Sequence, residues 1–551
     1  MNHFIIYQLI FLCLLEISFC QKYLWPTKDG KIISSNFGEP RPRRFHAGID
    51  IISSEKNINH EIFAVENGYI EKIKISSNGY GKVIYQRLID GNIVVYAHLS
   101  MFNNLLNQIT NIEQEQNNSY EIEKFFQKDE FLILNFDAEV SNFVRLNKAK
   151  IRQPGNVKQI SMSLSLSNRD KRNLKSYVRL NGSFDKDLST LIKTLNYLRR
   201  ELPDLPKDPY LLFSKSVQST EVSDDKKHIN DEENLDYILP RIASLDLVGI
   251  YSSGYIYTGL ANSLGQFNWH SDYSFSFDYS IYNENNNAIK LNYSSKKWNN
   301  EEFETNLDQG IKKLKILSQS HRTIPKGEYT VYLEPSALNE IIDMMSWGGF
   351  SYKANKIGTS PLHLLSKGEK SLHASVSIDE NIKGGISANF SSDGFIKPDV
   401  INMIKDGEFT ESLTSPRSSL EYSVAHNASS ISEYPYSIDM TAGAIDDDTI
   451  LSTINNGLYI SNLWYLNFSD RNNARMTGLT RFGCFVVENG QLTAPINTMR
   501  FDDSVYSMLG ENLIGLTSNR ELLIDSGTYE ERSTSSARLP GAIVDNFKMT
   551  L

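Results

Sequence analysis

Cysteine is scarce in this sequence of 551 residues: Cys13, Cys20 and Cys484 are all there is. Two of them fall in the first twenty positions, which excludes a disulfide scaffold, an iron–sulfur cluster and a four-cysteine zinc site. Basic clusters are missing as well. Lys and Arg number 56 against 66 Asp and Glu, a formal net charge of −10, so the electrostatic footprint of a nucleic-acid binder is absent. After the first twenty residues no stretch approaches the ~18 apolar residues that a membrane-spanning helix needs. No H-x-H pair occurs among the ten histidines, and the single H-E pair, His60-Glu61, has no second histidine within the next two helical turns. What the chain does have is core material: 40% hydrophobic and 11% aromatic residues, enough to exclude whole-chain disorder, collagen-like repeats and coiled coil.

The amino terminus opens with FIIYQLIFLCLLEISF at 4–19, an apolar run of signal-peptide length. Ser18 and Cys20 place small residues before a cut at Gln21, so residues 1–20 read as a secretory leader and the chain is expected to be exported. From 31 to 100 alternating β-branched segments with turn dipeptides at Asn78-Gly79 and Asp90-Gly91 predict a β-meander. Residues 101–128 take a polar, helix-like rhythm. Strand patterns resume with FLILNFDAEVSNFVRLN near Phe131 and continue through ISMSLSLSN and KSYVRLNGS. A helix follows from about Asp185 to Leu202, stopped by Pro203, Pro206 and Pro209. Residues 214–235 are polar and mixed in charge, a solvated linker or loop. Beyond it the pattern is strand-rich, with one clear helix at 335–346 between Pro335 and Gly348-Gly349. A hairpin is expected over 482–500, turning at Asn489-Gly490.

Two constellations carry chemistry. The first sets His46 and Asp50 four apart and His98 in Tyr96-Ala97-His98-Leu99-Ser100 on a strand. Imidazole and carboxylate are zinc donors, and a hydrolytic zinc site keeps an open water position beside three protein ligands. With Ser34-Ser35-Asn36-Phe37-Gly38 before it and Gly68-Tyr69 after, the segment resembles the M23 (lysostaphin-type) zinc endopeptidases. That resemblance implies His46 and Asp50 as metal ligands and His98 as a catalytic histidine. The later H-x-H pair of that family is missing, so the third ligand is not found, and the match ends near residue 128. His60 or His270 would have to substitute, and the spacing favours neither. A two-ligand site holds zinc weakly.

The second constellation spans about 130–551. GLYISNLWY at 457–465, continuing as SDRNNARMTGLTRFGCFVVENGQLTAPINTMRFDDS, is its strongest stretch. Supporting segments are SSGYIYTGLANSLGQFNWH, PKGEYTVYLEPSAL and GTSPLHLLSKGEKSLHASVSI. This part resembles the TldD/TldE (PmbA) family of peptidase-related proteins, and its TldE-like half most closely. The resemblance implies a heterodimer in which a TldD-type subunit holds zinc with an H-E-x-x-x-H helix and a distant cysteine, and a TldE-like subunit that lacks them. Cys484, in the apolar FGCFVVENG, reads as a packed structural residue. NLWYLNF reads either as core or dimer contact, or as the lining of a groove for extended peptides held by β-addition. Asp470, Arg471, Arg475, Arg481 and Arg500 either bind a peptide carboxylate or pair with one another, and Asp502-Asp503 reads as a solvated turn. His270 reads as a packed, satisfied histidine; His363 and His373 carry no ligand pattern.

The expected fold class is α+β, strand-dominated: a leader at 1–20, a partial M23-like β-domain at 21–128, an α/β domain at 130–213 and a polar linker at 214–235. A large antiparallel, barrel-like β-domain at 236–551 completes it. The expected function is a TldE/PmbA-like subunit of a metallopeptidase complex that hydrolyses peptides, its own zinc site incomplete and any zinc weakly bound or supplied by the partner. Its partners are a TldD-type catalytic subunit and a peptide substrate, in a dimer, with no nucleic acid and no membrane span beyond the leader. The alternatives are a bifunctional zinc metallopeptidase whose M23-like part cleaves cell-wall peptide crosslinks, and a purely structural or interaction protein. The leader points to the periplasm or cell envelope, whereas the TldD/TldE resemblance implies the cytoplasm.

Overall fold

The computed structural model describes residues 23–28, 32–35, 40–41, 44–45, 48–52, 61–75, 82–89, 91–100, 129–224 and 231–551. The leader, His46, His60, the Asn78-Gly79 turn and the helix-like 101–128 segment lie outside them. Strand residues outnumber helix residues more than two to one, as the alternating patterns require. The chain forms two compact units. The first takes Met1–Phe136, Ile160–Lys207 and Leu260–Phe267; the second takes Asp137–Gln159, Asp208–Gly259 and Asn268–Leu551.

In the first unit, β1 (Ile32–Ser35) pairs antiparallel with β4 (Asp50–Ile52), and β2 (Pro40–Arg41) with β3 (Arg44–Phe45). The expected meander is present as β5 (Gly68–Ile75), β6 (Lys82–Leu88) and β7 (Ile93–Leu99). The turn joining β6 to β7 carries Gly91 at φ +83°. Two long strands, β8 (Glu130–Asn147) and β9 (Lys150–Asn168), contribute residues to both units. Within the first, β9 runs antiparallel to β10 (Asn173–Leu180), with Leu180 opposite Ile160. Helix α1 (Phe184–Glu201) follows, burying Leu188, Leu191, Leu195 and Leu198, a three- and four-residue spacing that lines one face. Asp187 accepts the backbone N–H groups of Asn181 and Gly182 and so fixes the turn into that helix.

The second unit corrects the sequence reading of 214–235. Its residues 220–223 form β11 (Thr220–Ser223), paired parallel with β13 (Phe267–Tyr282), and Asp231 starts α2 (Asp231–Ile242). Strand β12 (Asp246–Asn262) precedes β13, and β14 (Ala288–Ser295), antiparallel to β13, and α3 (Asn300–Leu317) follow it. Helix α3 was not expected. Asn299 caps it by accepting the Glu301 N–H at 3.0 Å, and Phe303, Leu307 and Leu317 are buried. An aromatic core joins these elements: Phe277 stacks on Tyr279 at 4.3 Å, and Trp298 lies 5.2 Å from both Phe275 and Phe303.

The rest of this unit is built on one mixed sheet of eleven strands. They are β15 (Gly327–Leu333), β16 (Ile378–Asn381), β17 (Val400–Lys405), β18 (Glu408–Phe409), β19 (Ser437–Met440), β20 (Gly457–Asp470), β21 (Arg475–Glu488), β22 (Gln491–Pro495), β23 (Arg500–Ser504), β24 (Leu513–Ile524) and β25 (Ser536–Met549). The pairing is antiparallel except for β15 with β20 and β19 with β25. Because β15 pairs with both β20 and β25, the order β15-β20-β21-β23-β25 returns to its start and closes a ring. That is the barrel-like core of the expected β-domain. Helix α4 (Pro335–Ser346) buries Leu338, Ile341, Ile342 and Met345 against it, each worth about 1.5–3 kcal/mol. Pro335 occupies the first helical turn. Gly348 ends the helix at φ +83°, and Gly349 donates its N–H to the Met345 carbonyl so closely that a Cβ there would meet that oxygen at 2.1 Å. The hairpin β21–β22 turns at Asn489 (φ +50°) and Gly490 (φ +71°), the two-residue turn its sequence predicts.

Candidate functional site

The two described N-terminal candidates lie on different strands. Asp50 opens β4 opposite Ser35, half-buried, and the Ser34 hydroxyl donates to its backbone carbonyl. His98 lies on β7, exposed, with its backbone in the left-handed region at φ +58°. These are two different sheets of the first unit, and His46 is outside the described residues. The polar centre of this segment is Tyr96 instead. Its hydroxyl accepts the Val65 N–H and donates to Gln86, which in turn donates to the Glu66 carbonyl. Such a chain of bonds fastens a loop to a sheet, and no motif announced it.

In the second unit the sequence singled out the stretch around β20 and β21, and the structure resolves each residue of it. Cys484 is 2% exposed and its thiol donates to the Arg481 carbonyl at 3.3 Å. Burial pushes the thiol up to about 11, so it is a protonated, packed side chain as expected. Asp502 and Asp503 form part of β23 rather than a solvated turn. Being adjacent on a strand they face opposite sides: Asp502 pairs with Arg475, and Asp503 is buried, its carboxyl raised by desolvation. Arg471 donates to the carbonyls of Thr359 and Trp347, and Asp470 caps the Asn472–Asn473 turn.

The NLWYLNF segment divides: Leu463 is part of the buried core, with Leu466 and Phe468 packed against it, whereas the two rings between them face out. Trp464 is 50% and Tyr465 76% exposed, and the backbone is irregular there. Register slips between Trp464 and Asn467 on β20, and Tyr465 (φ +57°) and Phe482 (φ +60°) both adopt left-handed backbone. Such bulges re-aim side chains and cost of order 1–2 kcal/mol per left-handed non-glycine residue. The result is a ledge on which the Arg481 guanidinium lies 3.9 Å from the Trp464 ring and 4.9 Å from the Phe482 ring.

A buried polar group surrounds His270 on β13. The ring is 9% exposed and neither nitrogen meets hydrogen-bond geometry with any partner, the nearby Ile386 backbone included. It is packed, as expected, but not satisfied. Burial first, then the Lys296 and Lys397 charges, press it down to about 4, opposed by the backbone of Ile386. Two residues on, Asp272 is ion-paired with Lys296 at 2.5 Å. Desolvation also raises Glu380 and lowers Lys397, and Glu380 accepts the N–H groups of Tyr436 and Ser437. Separately, a cavity of about 290 Å³ is lined by Glu139, Arg145, Gln153, Thr528 and Glu530. His363 and His373 bond locally, to the Ser360 carbonyl and the Ser375 hydroxyl.

The sequence of the closed-ring region matches a family model described as the PmbA/TldA metallopeptidase C-terminal domain, over residues 326–551. Residues 326–551 are a PmbA/TldD C-terminal domain. The resemblance to the TldD/TldE family read from the sequence therefore holds. Comparison with curated proteins gives no significant match. Among solved structures the fold is similar to TldE from Thermococcus kodakarensis, at 12% identity, covering 78% of this chain and 98% of that one with a TM-score of 0.62. It is also similar to two proteins described as modulators of DNA gyrase. The one from Thermotoga maritima is 12% identical and covers 76% and 96% with a TM-score of 0.60. The one from Bacteroides thetaiotaomicron is 17% identical and covers 77% and 94% with a TM-score of 0.57.

A metallopeptidase family implies a metal, and the PmbA/TldD domain of this chain does not fit one. Its cysteine is held as a neutral thiol, whereas a zinc ligand is a thiolate. Among the described residues no group of three or more His, Cys, Asp or Glu is placed to hold a metal ion, and the sequence contains no H-E-x-x-x-H motif. Among those residues, too, no helix is long and apolar enough to cross a membrane.

Proposed function

We propose that this chain is a TldE-like, non-catalytic subunit of a metallopeptidase complex acting on peptides. A TldD-type partner would carry the zinc. The observation that carries this reading is Cys484: within a PmbA/TldD domain its thiol is buried, protonated and bonded to a backbone carbonyl, which leaves the domain without its metal donor. In this reading the leader at 1–20 exports the chain, so the partner is an exported one too, and mass spectrometry of the secreted protein would find Gln21 first.

Metal analysis of the purified chain, alone and mixed with a TldD-type subunit, tests the proposal. Less than 0.1 zinc per chain alone, about one per mixed complex, and peptide hydrolysis only in the mixture are expected, on the scale of a two-donor against a complete site. His46→Ala leaves all three readouts unchanged. About one zinc in the chain alone, lost in His46→Ala, would overturn the proposal and mark the N-terminal half as a working site.

A further inference from the structure

Most arginines of the second unit have an acceptor. Arg475 pairs with Asp502, Arg520 with Asp439, Arg322 with Glu488 and Arg417 with Asp208, while Arg471 uses two backbone carbonyls. Arg481 differs. It is half-buried, its guanidinium lies against the rings of Trp464 and Phe482, and its N–H groups reach no carboxylate, carbonyl or hydroxyl. In a chain with a formal charge of −10, a partly desolvated arginine without an acidic partner goes against the general balance. Stacking on aromatic faces leaves the edge of the guanidinium, with its forked N–H donors, open to a planar anion.

A second donor stands beside it. Asn462 lies directly opposite Arg481 in the β20–β21 register, so the two side chains share one face of the sheet. The Asn462 carbonyl oxygen accepts from Ser461, and its amide nitrogen donates to nothing. Trp464, two residues along β20, shares that face, and Tyr465 stands exposed next to it with ring centroids 5.6 Å apart. The left-handed residues Tyr465 and Phe482 bracket the constellation, and strain of this kind collects at binding sites.

We propose that Arg481 and Asn462 form a carboxylate-binding site, with Trp464 and Tyr465 as the wall that receives an adjoining apolar side chain. The ligand is a peptide carboxylate next to an aromatic or large aliphatic residue. Bidentate pairing of guanidinium with carboxylate supplies the anchor and the geometric selectivity. The site belongs to the isolated chain and does not depend on its joining a peptidase complex.

Calorimetric titration of the full chain with acetyl-Gly-Gly-Phe, and with the same peptide as its amide, is the test. The free acid is expected to bind at least tenfold more tightly than the amide. Arg481→Lys, which keeps the charge and loses the fork, weakens the acid about tenfold, and Arg481→Gln removes the acid–amide difference with Tm unchanged. Acetyl-Phe-Glu-Gly-amide separates the two sources of the anion. Binding equal to the free acid assigns the site to acidic side chains, and weaker binding assigns it to chain termini. Acid and amide binding alike, or neither binding at millimolar concentration, overturns the proposal without any variant having to fold. Failure here leaves the metal analysis above untouched, since that experiment reads zinc and this one reads carboxylate.

Discussion

Cys484 and His270 are both kept neutral by burial, which raises the thiol and lowers the imidazole. For the thiol the consequence is chemical silence. In a chain beginning at Gln21 Cys484 is the single cysteine. Iodoacetamide at pH 8 should leave it unmodified in the native protein and alkylate it in urea, which mass spectrometry reads directly. For the imidazole the consequence is pH-dependent stability. The folded value, about 4, lies below the ordinary 6.5. The fold therefore binds fewer protons than the unfolded chain, and the contribution is complete above pH 6.5 and lost as pH falls towards 4. Chemical denaturation should show roughly 2 kcal/mol of stability lost to this group between pH 7 and pH 5. His270→Phe should flatten that part of the profile, leaving the Asp272–Lys296 pair and Lys397 beside it. The packing of His270 was legible from its neighbours Asn268, Trp269 and Tyr273. Its lack of partners was not, because Lys296 and Lys397 come from remote parts of the chain.

At the level of elements, what could be read followed from period and turn chemistry. The strand FLILNFDAEVSNFVRLN and the Asn489-Gly490 hairpin were legible because alternation and left-handed turn residues are local signals. Residues 220–223 were not: an edge strand exposed on most of its length, Thr-Glu-Val-Ser, is held by backbone bonds to β13 and carries no apolar signature. Helix α3 had a readable signal in Asn299 and in the spacing of Phe303, Leu307, Leu314 and Leu317, diluted by Gly310 and three lysines. Asn299→Ala should lower stability by about 1 kcal/mol in a denaturant melt, because it frees the Glu301 N–H. Tyr465→Gly works in the other direction. It relieves the left-handed backbone while giving up a ring that is 76% exposed, so stability should rise by up to about 1 kcal/mol. The same change removes part of the ledge and should weaken the free-acid peptide described above.

Across the molecule, the α+β class and the barrel-like body followed from composition and strand content. The closure of the ring did not, since Gly327 finds Met549 and Val331 finds both Leu458 and Val544, pairings no local pattern encodes. Buried carboxylates escaped the sequence for the same reason: Glu433 accepts from Ser351, Lys353 and Ser415, each far from it along the chain. The N-terminal segment was read from motifs alone, and its Asp50 and His98 occupy separate sheets.

The ring also sets an order of events. Strand β25 is the last of the sheet to be synthesised, yet β15, β19, β23 and β24 all pair with it. Every earlier strand of that group emerges with a missing neighbour and must wait, its edge exposed to other chains, until Ser536–Met549 arrives. The wait runs from the synthesis of Gly327 to that of Ser536. A chain stopped before Ser536 should accumulate as aggregate, which the soluble fraction of such a truncation measures.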